Sequence, residues 1–216
     1  LMRYGPVNQY AEGLARYGNF RPTDAFALPG QPTDPDSLPD PAMGGRYSDE
    51  QLYALARYLY SLKPPKNPNP FDIRAKRGEE IFTQQGCPAC HTPPLYTNNT
   101  LTPADGFEIP DDHRAKYAIT DTPVGTDSKL ALKTRRATGY YKVPSLKGVW
   151  YRGPFSHDGS VATLEDWFDP NRLRSDYVPT GFKGIGVTRR AVPGHPFGLQ
   201  LTPEDKVALI AFLKTL

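Results

Sequence analysis

Apolar residues recur at helical spacing in three segments, and polar residues that favour helix N-termini precede each segment. The first, residues 48–62, opens with Ser48 and Gln51 in the spacing of a capping box. Its apolar positions share one helix face, and they are Leu52, Leu55, Leu59 and Leu62. The pattern predicts an amphipathic helix. The prolines of "KPPKNPNP" (63–70) end this helix and predict a stiff, extended linker after it.

A second helix is predicted in "FDIRAKRGEEIFTQQG", residues 71–86. Asp72 is its N-cap, Ile81 and Phe82 point inward, and Gly86 ends it.

The third helix closes the chain in residues 202–216, with Thr202 as N-cap and Pro203 at the first helical position. Between residues 92 and 200 few segments are periodic, and only "ATLEDWFD", capped by Thr163, predicts a short helix. With 24 prolines and 19 glycines in 216 residues, the chain is predicted to be mainly α with long Pro/Gly-rich loops.

The first and last helices resemble each other when Ser48 is aligned with Thr202. Read as an internal repeat, they predict two related domains that each close with such a helix. On this interpretation the chain begins partway through its first domain.

Charge and hydropathy exclude some classes of partner. A net charge of +3 gives no argument for nucleic-acid binding, and no apolar run approaches the roughly 18 residues of a membrane span. Basic residues and tyrosines gather in "KTRRATGYYK" (133–142). We interpret this stretch as a solvated loop face, with a docking patch for an acidic electron-transfer partner as the alternative. The chain opens "LMRYGP", without a signal peptide or an initiator Met, which is typical of a processed product.

The only two cysteines stand in "GCPACH", as Cys87 and Cys90, and His91 follows directly. A structural zinc site needs four Cys or His ligands, and no second paired cluster is present. A thioredoxin-like redox pair usually follows a strand, whereas this motif follows a predicted helix. C-x-x-C-H is the attachment motif of a c-type haem, in which the sulfurs form thioethers and the histidine is the proximal iron ligand. The motif therefore favours one covalent haem.

Residues 77–216 resemble the C-terminal haem domain of bacterial di-haem cytochrome c peroxidases and their MauG-type relatives. The similarity is carried by "YYKVPSLKGVWYRGPFSHDGSVATLEDW" (140–167) and by the closing helix. Residues 37–70 are similar to the end of the N-terminal haem domain and its linker in longer members. The resemblance implies a class I cytochrome c-like domain over 71–216, a linker over 63–70, and the tail of a first domain over 1–62.

The resemblance also implies a sixth haem ligand about 14 residues beyond His157, where the peroxidases carry Met and MauG carries Tyr. Asn171 stands at about this position, and no methionine follows Met43. The substitutes are His195, in a Gly/Pro-flanked loop before the last helix, then His157, Tyr177, His113, or a vacant site. His157 matches a family histidine that is generally structural, and His113, in the polar run "DDHRAK", is interpreted as an exposed loop residue.

Two further metal contacts are predicted from the resemblance. Met43 lies just before the first repeat helix, where it could ligate a haem attached upstream, or fill a gap in a loop. The peroxidases bind calcium partly through backbone carbonyls, and Arg152 and Pro154 occupy the matching positions.

The leading functional hypothesis is a periplasmic, or otherwise exported, haem domain that relays electrons within a di-haem peroxidase-like oxidoreductase. Its expected partners are a small cytochrome or cupredoxin and a second haem domain, upstream or in another chain. The second hypothesis is an open iron that acts on peroxide or oxygen, as in rubber-oxygenase-like members, with His157 or Glu165 as acid/base candidates. The third is a mono-haem electron carrier in a larger complex.

Overall fold

The computed structural model describes residues 54, 57–120, 122, 124–125, 128–133, 138–183 and 193–216. The chain divides into two compact units, Leu1–Lys66 and Asn67–Leu216. In the first unit residues 57–61 are helical, and Leu59 and Leu62 are exposed. The predicted cap of this helix and Met43 lie outside the described residues, so the assignment of 1–62 to a first cytochrome-like domain stays a prediction.

The second unit contains short helices and one small strand pair among its described residues. Helices α1 to α5 are Ile73–Gln84, Asp111–Lys116, Ser128–Lys133, Leu164–Trp167 and Pro203–Lys214, and 3₁₀ turns cover Cys87–Ala89 and Pro170–Leu173. Strands β1 (Leu101–Pro103) and β2 (Tyr140–Lys142) are antiparallel, with Thr102 opposite Tyr141. The described part is therefore mainly α, as predicted, while the class I cytochrome c assignment stays a prediction.

Three of the predicted N-caps are confirmed by their hydrogen bonds. Asp72 accepts from the Ala75 N–H at 2.9 Å, at the start of α1. The equivalent contacts of Thr163 in α4 and Thr202 in α5 measure 3.1 and 3.2 Å and come from Asp166 and Asp205. Each cap satisfies a backbone donor that the first helical turn leaves without a partner.

The core lies where α1 packs against α5. Ile81 and Phe82, predicted to point inward, are 1% and 3% exposed and meet Leu209 and Phe212 of α5 in one apolar cluster. The rings of Phe82 and Phe212 lie 5.3 Å apart between centroids, tilted by 60°. Tyr96, from the loop after the cysteines, adds a third ring to this cluster. This helix pair thus anchors the segment that carries the C-x-x-C-H motif.

Two sequence interpretations of the middle region are wrong. His113 is not an exposed loop residue: it is half-buried in α2, where its Nδ1 lies 2.9 Å from the Tyr140 hydroxyl and its ring packs against Tyr117. Within the basic stretch 133–142, residues 140–142 form β2 rather than a solvated loop, because they pair with β1. Residues 134–137 of that stretch lie outside the described residues.

The two ends of the second unit meet. Asn67 and Asn69 donate side-chain hydrogen bonds to the Lys214 carbonyl oxygen at 2.9 and 3.0 Å. This oxygen is one of the carbonyls that the end of α5 leaves without a helical partner, so the two amides cap the helix. No described helix is long and apolar enough to cross a bilayer.

Candidate cofactor site

The C-x-x-C-H motif forms a tight turn immediately after α1. Gly86 has a left-handed φ of 71°, which reverses the chain after the helix, and Cys87–Ala89 is a 3₁₀ turn. The Cys87 carbonyl accepts from the N–H groups of Cys90 and His91 at 3.3 and 2.8 Å. Both cysteines are free thiols, and all three motif side chains are half-buried. Local hydrogen bonds thus hold two sulfurs and one imidazole in a single turn.

His91 is oriented by the backbone that follows it. Its Nδ1 lies 3.2 Å from the Tyr96 carbonyl oxygen. A carbonyl only accepts, so Nδ1 carries the proton and donates, and Nε2 keeps the lone pair that a metal requires. The Asn98 N–H donates to the Cys90 carbonyl at 2.7 Å and closes the loop that carries Tyr96.

Burial favours the uncharged forms of His91 and Cys87. Burial lowers the pKa of His91, against the opposing backbone contacts of Tyr96 and Pro144, so the imidazole is uncharged at neutral pH. Burial raises the pKa of the Cys87 thiol to about 11, which disfavours a thiolate. A reactive redox pair needs a thiolate, whereas a thioether sulfur is uncharged.

His195 lies in electrostatic range of His91. Burial first, then the charges of His91 and Arg172, lower the pKa of His195 to about 4, so this imidazole is also neutral at pH 7. Its ring packs edge-on against Trp167, with centroids 5.4 Å apart, and lies 5.2 Å from Phe197. Its Nδ1 is buried and has no hydrogen-bond partner in the part of the chain that the structure describes.

Arg172 holds the loop that presents His195, a role for which the sequence analysis had no signal. Its guanidinium is 1% exposed and donates from Nε to the Trp167 carbonyl at 2.6 Å. Its two other nitrogens donate to the carbonyls of Pro193 and His195. Burial lowers the pKa of Arg172 to about 10, so it keeps its charge at neutral pH.

The other predicted ligands have different surroundings. Asn171, at the position of the family's Met, is exposed and bonded to Asp169. The ring of His157 lies 4.9 Å from that of Tyr141. Burial raises the pKa of the Tyr177 phenol. His113 is engaged by Tyr140.

The predicted calcium contacts lie in an exposed turn. The Arg152 side chain donates to the Ser145 carbonyl, and Pro154 follows a cis peptide bond. Both residues are exposed. Calcium binding by their carbonyls stays a prediction.

The donor set fits a covalent haem better than the alternatives. Among the described residues no group of three or more Cys, His, Asp or Glu side chains is arranged to hold a metal ion, which argues against a closed zinc site there. A neutral His91 with Nε2 open, two sulfurs on one turn, and a second neutral imidazole match the needs of a bis-imidazole haem. Cys87 also packs against the apolar cluster of α1 and α5, where a porphyrin edge would be shielded from water.

The chain is similar to several known proteins. Methylamine utilization protein MauG of Methylorubrum extorquens is 30% identical over 182 residues, which cover 81% of this chain and 45% of that protein. Cytochrome-c peroxidase IdrP1 of Denitromonas iodatirespirans is 25% identical over 208 residues, covering 77% and 49%. Cytochrome c551 peroxidase of Pseudomonas aeruginosa is 21% identical over 183 residues, covering 78% and 43%.

Each match covers only part of the relative's length. The chain spans about half the length of the curated relatives it matches. No family model matches the chain.

Proposed function

Because this chain belongs to the superfamily of bacterial di-haem cytochrome c peroxidases and MauG-type proteins, we propose that residues 71–216 form its C-terminal haem domain and relay electrons. Cys87 and Cys90 would hold the haem through thioethers, His91 would be the proximal ligand through Nε2, and His195 would be the sixth ligand. The family is one of haem oxidoreductases. The relay role is the part that this chain's residues support.

A haem bound here would supply a one-electron couple between ferric and ferrous iron. The residues around it then have simple tasks. The Tyr96 carbonyl fixes the tautomer and ring plane of His91, and Trp167 and Phe197 exclude water from His195. If His91 and His195 both held the iron, no position would be left for exogenous ligands, which suits electron transfer rather than catalysis at this metal.

The observation that carries this proposal is that the His195 imidazole lies within electrostatic range of His91. They come from loops about a hundred positions apart, both are shielded from solvent, and each has its pKa lowered by burial. Buried neutral imidazoles are the commonest metal ligands of this kind, and uncoordinated histidines gain little from such a position. The departure from the family's Met, at Asn171, is then explained by a ligand that comes from a later loop.

The wider setting completes the proposal. By its family the protein would work in the periplasm or another exported location and exchange electrons with a small cytochrome or cupredoxin. The reactive haem would be bound by a second domain, upstream or in another chain. A calcium ion would be bound by the backbone carbonyls of Arg152 and Pro154.

The test is the ferric optical and EPR spectrum of protein matured with its haem. A low-spin, six-coordinate signal supports the relay. A high-spin signal that changes when cyanide or peroxide is added contradicts it and favours an open iron acting on peroxide or oxygen. A protein that acquires no covalent haem in a strain competent for cytochrome c maturation refutes the whole proposal.

A further inference from the structure

Arg172 is a fully buried cation whose hydrogen bonds all go to backbone. It lies in the 3₁₀ turn Pro170–Leu173, and its three donor contacts reach the Trp167 carbonyl on one side and the carbonyls of Pro193 and His195 on the other. Within the described part no carboxylate forms an ion pair with it, and Asp169 acts on it only at longer range. Arg172 thus joins the end of α4 to the loop that carries His195.

Burying a charged group is energetically unfavourable, so the contacts that compensate for it are informative about the role of Arg172. Moving a guanidinium out of water is unfavourable before its new hydrogen bonds are counted. Here the cost is offset by three backbone acceptors and by the face of Trp167, whose ring lies 4.6 Å from the guanidinium carbon. Trp167 itself packs on the ring of His195. Arg172 therefore fixes both the backbone of the loop that carries His195 and the Trp167 ring that packs against His195.

Gly194 is adapted to the same contact. It lies between the two carbonyls that Arg172 binds, with a left-handed φ of 59°. A Cβ at this position would lie 3.3 Å from the Trp167 ring and 3.6 Å from a guanidinium nitrogen of Arg172. Glycine lets the loop turn its successive carbonyls toward one cation, because an L side chain rarely adopts this backbone conformation.

We propose that Arg172 is a positioning residue that holds the loop 193–195 so that the His195 imidazole reaches the haem iron. This inference rests on the proposed function, in which His195 is the sixth ligand. The planar guanidinium of arginine can donate hydrogen bonds to carbonyls of two segments at once. The single ammonium group of lysine would keep the charge but reach fewer carbonyls. The role is therefore specific to arginine.

The test compares haem-loaded variants of the full chain. Arg172→Met removes the fork at similar length, Arg172→Lys keeps only the charge, and Arg174→Met is the matched control, since Arg174 is exposed and paired with Asp176. The readouts are the low-spin fraction of the ferric EPR spectrum, haem content, and far-UV circular dichroism. We expect Arg172→Met to lose at least half of the low-spin signal with haem content and helix signal unchanged, and added imidazole to restore it.

The remaining variants decide the interpretation. Arg172→Lys should be intermediate, and Arg174→Met should match the wild type. A wild-type low-spin fraction in Arg172→Met overturns the proposal. If Arg172→Met fails to fold, Gly194→Ala decides, because it keeps the arginine and disturbs only the turn: loss of low-spin signal supports the proposal, and a wild-type spectrum overturns it.

His195→Ala, measured in parallel, separates this inference from the proposed function. If His195→Ala loses the low-spin signal and Arg172→Met does not, only the role of Arg172 is refuted. If His195→Ala keeps the signal, the ligand assignment is wrong and the positioning role falls with it.

Discussion

Gly78 of α1 faces the carbonyl oxygen of Ala208 in α5 with no room for a side chain between them. A Cβ at position 78 would clash with that oxygen and lie 2.7 Å from the Cβ of Phe212. The two helices that carry the core therefore cross at a glycine. This crossing sets how the end of α1, and with it the Cys87–His91 turn, is placed against the core.

Gly78→Ala should consequently destabilise the domain, although alanine is the better helix former. We expect the free energy of unfolding of the haem-loaded protein to fall by at least about 2 kcal/mol, the upper range for overpacked cores. Urea unfolding measures this. Glu79→Ala, one position along on the exposed face, is the control and should stay within about 0.5 kcal/mol of the wild type. Equal stability of the two variants would mean that the helices can separate without loss.

His195→Ala should convert the ferric iron from low spin to high spin, because it removes the sixth ligand and no methionine follows Met43. Optical and EPR spectra at neutral pH measure the change. His113→Gln is the control, since that histidine is engaged by Tyr140 in α2. It should keep the wild-type spectrum, and a loss of low-spin signal in His113→Gln alone would assign the ligand to His113 instead.

His195→Met should raise the midpoint potential, because a thioether favours ferrous iron more than an imidazole does. We expect a rise of about 0.1 V, a modest part of the roughly 0.8 V over which axial ligands set haem potentials. A spectroelectrochemical titration of both proteins measures it. A wild-type potential that already lies in the His/Met range would contradict bis-imidazole ligation.

Removing one cysteine should leave a haem attached through a single thioether. Cys87→Ala and Cys90→Ala should each shift the α-band of the pyridine haemochrome away from the position typical of two thioethers. The double variant should lose covalent haem altogether, as judged by haem stain on a denaturing gel. If either single variant kept the two-thioether band, the altered cysteine would not take part in attachment.

The ion pair between Glu165 of α4 and Lys214 of α5 should contribute little and only above acidic pH. The Lys214 Nζ lies 2.7 Å from the Glu165 Oε1, but the Glu165 and Lys214 side chains are 58% and 39% exposed. Burial is the largest single influence and acts to raise the pKa of Glu165, but the hydrogen bond from Lys214, a backbone hydrogen bond and the Lys214 charge together outweigh it, so the net pKa lies below its ordinary value. A depressed folded-state pKa stabilises the protein above that of the unfolded chain, and this contribution is lost as the pH falls through the folded value.

Glu165→Gln should therefore lower the free energy of unfolding at pH 7 by less than about 1 kcal/mol, the range of exposed ion pairs. The difference should shrink as the pH falls below the ordinary carboxyl range, and it should vanish once Glu165 is protonated in the folded protein. Glu108→Gln, in an exposed loop, is the control for loss of a negative charge. The haem spectrum of Glu165→Gln should equal that of the wild type, and an altered response to peroxide would instead support a catalytic role for Glu165.

The helices were predictable because their signals are local. Asp72, Thr163 and Thr202 cap the helices they precede, and each bond spans only three residues. The burial of Ile81 and Phe82 follows from their place on the apolar face of α1. The C-x-x-C-H motif could likewise be recognised as a candidate haem attachment site from the sequence, since it consists of five consecutive residues.

What the sequence did not predict depends on contacts between distant segments. The strands β1 and β2 are three residues each and 36 positions apart, so neither has a pattern of its own. The same holds for Arg172, whose residue type favours the surface and whose burial arises only when the loop 193–195 folds over it. The identity of the sixth haem ligand was likewise left open between several candidates, because ligand choice depends on how the loops fold.

The amides of Asn67 and Asn69 on the Lys214 carbonyl mean that the chain enters and leaves the second unit at one point on its surface. A module with adjoining ends can be inserted into a loop of another protein, or joined in tandem, without stretching its own fold. Mechanical tension applied through both ends would act on this junction and on the last turn of α5 before it reached the Cys87–His91 turn.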